Sequence, residues 1–505
     1  MTALIDQAFD CAWLLADPGV APAQANVRLA VSGGRIASIN ALDAFNSSPS
    51  GCRYLALPAL ANAHDHARTF RSATLGAFGQ PLETWLPFLG VVPDMDPYLC
   101  AVTSFARSVR NGVSHLMVHY TRVQGGMTYV DEAQAVARAA KDVGVRIGFA
   151  LAMRDRNGIA YCDDARVLLA LRPGIREAVA QRLAVKPVAP AQQLALVDDV
   201  AAMVEEGGYG DHVTVQYGPT AVQWCSTPLL EAIAQASADT RRPVHMHLLE
   251  TKYQRTWADK AHPGGIVKFL DSIGLLTPRL TLAHCTWARP DELALIAKRG
   301  ATIAVNTSSN LGLKSGIAPV PEMLKQGCRV AMGLDGMAFD EDDDALREAR
   351  LAYALHRGWS HSTTMTPAQL WGFAAGHGPR SVTGALVPPA SGHLLPGAPA
   401  DIVMLDWDAV DNDMIFPDVD PFELLLARAN GSHIAKVIVA GRIVVECGRV
   451  LGIDEPALAA DLLTRMRSAL AADTGHKGWR ATVQALAEDL GPFYTRGYFG
   501  DGCCG

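Results

Sequence analysis

The chain has 505 residues, of which 49% are hydrophobic and 19% are charged, and this composition predicts a compact globular protein with one large domain and a smaller one. Its formal net charge of −7, without a basic patch, argues against nucleic acid as a partner. Ten cysteines are scattered singly except for one adjacent pair, and no apolar run approaches roughly 18 residues, so we expect a cytoplasmic protein with reduced thiols and no membrane segment.

Short strand patterns occur at both ends of the chain. Runs of apolar and β-branched residues flank the turn Gly33-Gly34, which is typical of a β-hairpin. Similar runs return near the C-terminus, at residues 400–405 and 435–445. We therefore expect residues 1–57 and 388–453 to form one small β-sandwich domain together.

Between these ends, apolar strand patterns alternate with amphipathic helix patterns such as that of residues 130–143. Eight strands that alternate with helices favour a parallel (β/α)8 barrel of the TIM type, which we expect at residues 58–387. An open doubly wound sheet is the alternative, but no Gly-x-Gly-x-x-Gly follows an early strand to bind a dinucleotide. The strand patterns are the apolar run 54–61 and residues 113–120, 145–153, 213–218, 243–248, 280–284, 301–306 and 329–335.

Residues 454–505 extend beyond both predicted domains. Their pattern is helical and then aromatic, with Phe493, Tyr494, Tyr498 and Phe499 close together. We expect this extension to pack on the barrel or on a second subunit. We also expect the protein to form a homo-oligomer, either a dimer or a higher assembly.

The triplet His64-Asp65-His66 follows the apolar run 54–61. On a β-strand, residues i and i+2 point to the same side, so both imidazoles face one point. Imidazole nitrogen is a common ligand of zinc and of similar divalent metals. A His-x-His pair alone is weak support for a metal site, because such pairs also occur by chance on surfaces.

Three more polar residues stand at the ends of later strand patterns, and they strengthen the metal hypothesis. They are His247, His284 and Asp335. In a parallel barrel the carboxyl ends of all strands meet at one mouth, where active sites lie. We expect His64, His66, His247 and Asp335 to hold one divalent metal, with water completing the coordination. Zinc is the first expectation, and Fe2+ or Mn2+ suits similar ligands.

Hydrolysis at such a metal also needs residues that carry protons. Glu250 lies just beyond the strand of His247, and His284 ends the next strand. We expect Glu250, His284 and Asp335 to be the catalytic residues. The fourth barrel strand, at residues 213–218, contains neither a Lys nor a Glu that would bridge two metals, which predicts a single ion per chain.

Four residues at other strand ends or loops are candidate substrate contacts. Trp85 would stack on a flat ring, Arg154 would bind a carbonyl or carboxylate, and His119 and Gln216 would line the pocket. Ordinary packing or solvation is the alternative for each of the four. His245 shares a strand face with His247, and we expect it to support a metal ligand or to pack beside one.

Seven motifs occur along nearly the whole chain, at residues 57–66, 247–251, 283–285, 306–311, 315–319, 333–336 and 392–403. Together they resemble the amidohydrolase superfamily, specifically its cytosine/guanine-deaminase-like and triazine-hydrolase-like branch. The resemblance implies hydrolysis of a C–N bond of a small nitrogen heterocycle by metal-activated water, with release of ammonia. It also implies that Glu250 protonates a ring nitrogen while Asp335 and His284 handle the proton of water.

Two alternatives to deamination remain open at the level of sequence. An amidohydrolase of the same construction opens a cyclic amide or lactam, or releases an alkylamine. A non-catalytic binding protein on the same barrel is the other alternative, but such a protein is expected to have lost metal ligands, and this chain retains all of them.

Overall fold

A computed structural model describes residues 6–43, 52–336, 340–385 and 392–499 of the protein. Within these ranges the strands form two eight-stranded sheets. The strands in chain order are β1 (Gln7–Leu14), β2 (Gln24–Ser32), β3 (Arg35–Ala41), β4 (Tyr54–Pro58), β5 (Leu60–Asn62), β6 (Val113–Tyr120), β7 (Arg146–Met153), β8 (Val213–Pro219), β9 (Val244–Leu248), β10 (Leu280–His284), β11 (Thr302–Val305), β12 (Arg329–Met332), β13 (Ile402–Asp406), β14 (Ile434–Val439), β15 (Arg442–Glu446) and β16 (Arg449–Val450).

Helices alternate with the strands along much of the chain and continue after the last strand. In chain order they are α1 (Ser72–Leu75), α2 (Leu82–Trp85), α3 (Pro97–Arg110), α4 (Tyr129–Val143), α5 (Asp164–Ala170), α6 (Arg176–Leu183), α7 (Pro190–Glu206), α8 (Thr227–Thr240), α9 (Lys252–Ala261), α10 (Ile266–Ser272), α11 (Pro290–Arg299), α12 (Thr307–Gly312), α13 (Val320–Lys325), α14 (Ala345–His356), α15 (Pro367–Trp371), α16 (Gly378–Thr383), α17 (Trp407–Val410), α18 (Pro421–Arg428), α19 (Glu455–Ala472) and α20 (His476–Thr495).

Strands β5 to β12 are consecutive neighbours in one sheet, and every pair is parallel. The sheet closes on itself beside its first strand, where the Ala63 amide donates to the Met332 carbonyl at 2.7 Å. The Asp335 amide likewise donates to the His64 carbonyl at 3.0 Å. The predicted (β/α)8 barrel is therefore confirmed, and its closure brings the end of β5 against the end of β12.

The other sheet combines strands from both ends of the chain, in the order β16-β15-β14-β13-β4-β1-β2-β3. Its pairs are antiparallel except for β1 with β4. The side chains of this sheet form a separate apolar core, which includes Leu14, Leu29, Ile402 and Ile438. This arrangement confirms the predicted small β-domain built from both termini.

The apolar run at 54–61, which the sequence predicts as a single strand, is divided between the two sheets. Strand β4 pairs with β1 and β13, whereas β5 pairs with β6 of the barrel. At the junction, the Ala59 amide donates to the Asp401 carbonyl at 3.0 Å. Both segments are fully buried, so the hydrophobic pattern is continuous across the switch and hides it.

A short helix, α16, plugs the barrel at the amino-terminal ends of the strands. Val382 of this helix packs against Met117 and Ala150 from inside the barrel. The Gln216 amide nitrogen donates to the carbonyls of Ser381 at 2.8 Å and Val382 at 2.9 Å. The interior is therefore a packed core with one open mouth, at the carboxyl ends of the strands.

The C-terminal extension packs on the barrel. Helix α19 meets α3, where Leu462 joins a small cluster with Leu99 and Cys100. Helix α20 covers α2 and the following 3-10 turn, with Trp479 packed in one cluster with Trp85. No helix among the residues described is both long and apolar enough to traverse a lipid bilayer.

We predict that Gln216→Leu lowers the free energy of unfolding by about 1–3 kcal/mol, because it leaves two buried carbonyls of α16 without their donor. Denaturant unfolding of the purified variant measures this loss. Gln192→Leu, on the exposed side of α7, serves as the control and should change stability little. Equal stability of the Gln216 variant and the parent would contradict the role of this residue as the anchor of α16.

Candidate metal centre and active site

The four predicted metal ligands converge at the open mouth of the barrel. His64 and His66 follow β5, His247 lies in β9 and Asp335 follows β12. The Nε2 atoms of His66 and His247 are 3.4 Å apart, and Oδ1 of Asp335 lies 3.3 Å from Nε2 of His66. The same carboxylate oxygen is 3.5 Å from Nε2 of His64. Barrel closure thus assembles residues from opposite ends of the barrel sequence.

Backbone carbonyls fix the orientation of two of these imidazoles. Nδ1 of His66 is 2.7 Å from the His119 carbonyl, and Nδ1 of His247 is 2.7 Å from the Thr220 carbonyl. A carbonyl only accepts hydrogen bonds, so each Nδ1 carries the proton and each neutral ring presents a lone pair at Nε2. Burial lowers the pKa of both histidines, which favours the neutral, metal-binding form.

The buried atoms at the centre of this cluster lack hydrogen-bond partners. Nε2 of His64 and Oδ1 of Asp335 are both enclosed and unpaired. Together with the lone pairs of His66 and His247 they form a converging set of electron donors, which suits a bound cation. His64, His66 and His247 form one group whose ligand atoms lie within 4.8 Å of one another, and His64, His284 and Asp335 form another. The residues therefore fit a divalent metal.

His245 contacts the ring of His64 and holds it in place. Its Nε2 is 2.8 Å from Nδ1 of His64, and the two rings stack with centroids 5.0 Å apart. This contact holds the third imidazole as the carbonyls hold the other two, so its remaining nitrogen faces the centre. Burial lowers the pKa of His64 to about 3, and the ring is neutral at physiological pH.

The two predicted proton carriers lie on the outer side of the metal ligands. Nε2 of His284 is 3.6 Å from Oε2 of Glu250 and 3.8 Å from Oδ2 of Asp335. The Ser315 hydroxyl donates to Oε1 of Glu250 at 3.2 Å, and the Ser309 hydroxyl donates to Oδ2 of Asp335 at 2.7 Å. Each carboxylate is thereby oriented by a serine, and His284 lies between them.

The protonation states of the two carboxyls differ because their surroundings differ. Burial raises the pKa of Glu250 to about 7. Asp335 instead accepts from the Ser309 hydroxyl at 2.7 Å and lies 3.7 Å from Nη1 of Arg68, and both contacts favour its anionic form. Near neutral pH, Glu250 is therefore able to give or take a proton, whereas Asp335 stays an anion.

Left-handed backbone conformations occur at the same strand ends. Leu249, His284 and Asp335 have φ values of 51°, 75° and 49°. Non-glycine residues rarely adopt this conformation, and it costs about 1–3 kcal/mol each, so the surrounding contacts must hold it. These conformations occur where the chain leaves the strands at the mouth of the barrel.

A cavity of about 760 Å3 opens over this centre. Of the four predicted substrate contacts, Trp85 and Arg154 line it. His119 is instead buried behind the ligands, with its ring centroid 4.9 Å from that of His247. Gln216 is anchored to α16 at the other end of the barrel. These two side chains do not line the cavity.

Several cavity residues do not stand out in the sequence. Nη1 of Arg68 is 3.7 Å from Oδ1 of Asp335, and its guanidinium lies 4.9 Å above the Trp85 ring. Glu83 and Tyr161 are buried in the cavity wall. Only the position of Arg68, two residues after His66, would have suggested its proximity to the metal ligands.

The C-terminal extension forms part of the outer wall of the cavity. Leu470 of α19 and His476, Trp479 and Tyr494 of α20 all line it. The indole nitrogen of Trp479 donates to the Gly90 carbonyl at 2.8 Å, and the guanidinium of Arg182 lies 4.7 Å from its ring. The extension is therefore a structural component of the site.

Sequence comparison links the chain to known deaminases. A 5-methylthioadenosine/S-adenosylhomocysteine deaminase of Nitratidesulfovibrio vulgaris is 34% identical over 251 residues, which cover 48% of this chain and 54% of that protein. The Desulfovibrio desulfuricans protein of the same name is 29% identical over 423 residues, covering 81% of this chain and 84% of its own. With several of the relatives it matches, the aligned part of the chain spans just over half of their length.

Solved structures share the fold. The zinc-bound adenosine deaminase of Xanthomonas campestris superposes with a TM-score of 0.68 at 21% identity, covering 93% of this chain and 100% of that one. The zinc complex of atrazine chlorohydrolase from Arthrobacter aurescens TC1 also has a TM-score of 0.68, at 22% identity, and covers 90% of this chain and 98% of its own. The model of the amidohydrolase family matches residues 55–444, which include all four predicted metal ligands. The chain therefore belongs to the amidohydrolase family.

Proposed function

We propose that the protein is a metal-dependent aminohydrolase that releases ammonia from a small nitrogen heterocycle. The observation that carries this proposal is the pairing of Glu250 with His284, 3.6 Å apart, beside a complete set of metal ligands. Proton transfer to a ring nitrogen requires a group that titrates near neutral pH, and burial gives Glu250 that property. The names of the related deaminases support the same reaction class.

We assign the metal to His64, His66, His247 and Asp335, and propose one ion per chain, zinc first and Fe2+ or Mn2+ as alternatives. Such an ion lowers the pKa of water to about 7 and thereby supplies a hydroxide nucleophile. The fourth barrel strand, β8, contains neither a Lys nor a Glu that would bridge two ions. This supports a single ion.

In the proposed reaction, the side chains divide the proton transfers. Asp335 and His284 accept the proton that water loses as the new carbon–oxygen bond forms. Glu250 donates a proton to the ring nitrogen, and Asp335 passes the proton taken from water to the exocyclic amine. The carbon–nitrogen bond then breaks to release ammonia, while the hydroxyl of the intermediate becomes the carbonyl and its proton returns to Glu250. Trp85 and Arg154 line the cavity and are the proposed substrate contacts, through ring stacking and through hydrogen bonds from the guanidinium.

A second reaction has one observation in its favour. The cavity of about 760 Å3 has room beyond a single ring, so a leaving group larger than ammonia is sterically possible. Hydrolysis that opens a cyclic amide or releases an alkylamine would use the same residues. Retention of all the metal ligands argues against a non-catalytic binding protein.

The proposal predicts ammonia release by the zinc-supplemented protein from at least one member of a panel of aminated purines, pyrimidines, pterins and triazines. Coupled detection of ammonia and the mass of the product measure this reaction. A product mass that corresponds to loss of an alkylamine or to an opened ring would instead support the second reaction. The absence of turnover of any kind in protein that holds its metal would contradict the proposal.

We predict about one zinc per chain in the parent protein and loss of tightly bound metal in His247→Ala, because the variant lacks one of the converging donors. Metal analysis after gel filtration measures both. His361→Ala, at an exposed position, is the control and should keep its metal. Unchanged metal content in His247→Ala would remove this residue from the coordination set, and a reproducible two ions per chain would refute the mononuclear assignment.

We predict that Glu250→Gln retains metal but turns over at least about 100-fold more slowly, the usual scale for a general acid–base group. The amide keeps the shape of the side chain but neither donates nor accepts a proton in catalysis. Steady-state kinetics and metal analysis of the same preparation test this, with the exposed Glu231→Gln as control. Near-normal turnover of the Glu250 variant would exclude the proposed role.

A further inference from the structure

Glu83 is a buried carboxylate in the cavity wall, on the short helix α2, and it has no part in the reaction described so far. We propose that Glu83 is a positioning residue that holds Glu250 in its reactive orientation through Thr251 and Tyr161. This inference rests on the proposed role of Glu250. It concerns how the proton donor is held in place, and not the identity of the substrate.

Two hydroxyl groups converge on one oxygen of this carboxylate. The Tyr161 hydroxyl donates to Oε1 of Glu83 at 3.0 Å, and the Thr251 hydroxyl donates to the same atom. Thr251 immediately follows Glu250 in the chain. The three partners are almost completely buried, with exposures of 4% for Glu83, 3% for Thr251 and 1% for Tyr161, so water competes little with these bonds.

Gln254 connects these two hydroxyl groups to the backbone of Glu250. Its side-chain nitrogen donates to the Tyr161 hydroxyl at 3.3 Å, and its side-chain oxygen accepts from the Glu250 amide at 2.9 Å. The Gln254 amide in turn donates to the Thr251 hydroxyl at 3.2 Å. A closed network thus includes the backbone amide of Glu250 and the hydroxyl of Thr251, the residue that follows it.

This backbone needs such support. Leu249, just before Glu250, has a φ of 51°, a conformation that non-glycine residues keep only when neighbouring contacts hold it. Glu250 itself is fixed at its tip by Ser315 alone among the hydroxyl groups described, at 3.2 Å. Removal of the Glu83 carboxylate would leave two buried donors without an acceptor and release the segment after Leu249.

The helix that carries Glu83 is itself anchored from several sides. The Leu82 amide donates to the Leu313 carbonyl at 3.0 Å. Trp85 packs in one cluster with Trp479 and Val483 of α20. Because α2 has neighbours on both sides, the position of the carboxylate is set by the scaffold, and a small shift of Glu250 relative to the substrate would be costly for the rate.

Kinetics of Glu83→Ala and Glu83→Gln test the proposal. We expect Glu83→Ala to lower kcat by about 10- to 100-fold with little change in KM or metal content, because only the orientation of the proton donor is lost. Glu83→Gln should restore most of kcat, since its amide oxygen accepts from both hydroxyl groups. We also expect Tyr161→Phe to add little further loss to Glu83→Ala, because both act through one network.

Glu132→Ala is the matched control. Glu132 is also a buried carboxylate that accepts a tyrosine hydroxyl, from Tyr120, but it does not line the cavity. This variant should be less stable and retain the parent kcat. A loss in Glu83→Gln as large as in Glu83→Ala, with an increase in KM, would mean that the charge of Glu83 contacts the substrate, and it would overturn the positioning role.

Crystal structures of the Glu83 variants provide a readout that does not require turnover. In Glu83→Ala we expect the Glu250 carboxylate to leave Ser315 and His284, and in Glu83→Gln we expect it to stay. An unmoved Glu250 in Glu83→Ala would refute the inference even if the parent enzyme is active. If the parent protein releases no ammonia from any compound, the proposed function fails, and the crystallographic comparison still decides the positioning role.

Discussion

The structure of the site depends on the meeting of lone pairs from His66 and His247 beside the Asp335 carboxylate. These groups repel one another unless a cation lies between them, and the fold forces them together. It does so with ordinary backbone groups, since the carbonyls of His119 and Thr220 dictate which ring nitrogen carries the proton. Closure of the barrel brings in the Asp335 carboxylate, which follows the last barrel strand, β12. The arrangement of donor atoms that suits a metal is therefore produced by the residues at the ends of the barrel strands.

The sequence predicts this much because strand patterns and ligands are local signals. Each apolar run and the polar residue at its end can be recognised without knowledge of the neighbours, as for His247 and Asp335. Contacts between distant segments leave no such signal. The switch between sheets at Ala59 lies inside a continuous apolar run, Glu83 looks like a surface acid of a short helix, and Gln216 looks like a pocket residue although its partners are the carbonyls of α16.

Metal binding and proton transfer have different structural supports. The proposed histidine ligands lie in barrel strands or directly after them, and hydrogen bonds to carbonyls and to His245 hold their rings. The proton carriers follow strands whose ends have strained backbones, and side chains from other elements hold them. Helix α2 contributes to both parts, because Glu83 contacts the segment of Glu250 while Trp85 supports Arg68, the cation next to Asp335.

Part of the outer wall of the cavity comes from residues 469–494, whereas the family match ends at residue 444. This part of the wall is therefore separate in sequence from the proposed metal ligands and proton carriers. It is close to their supports in space, since the ring centroid of Tyr494 in α20 lies 5.2 Å from that of Tyr161, which donates to Glu83. An exchange of this segment between relatives would alter which molecules enter the site while the metal ligands stay the same.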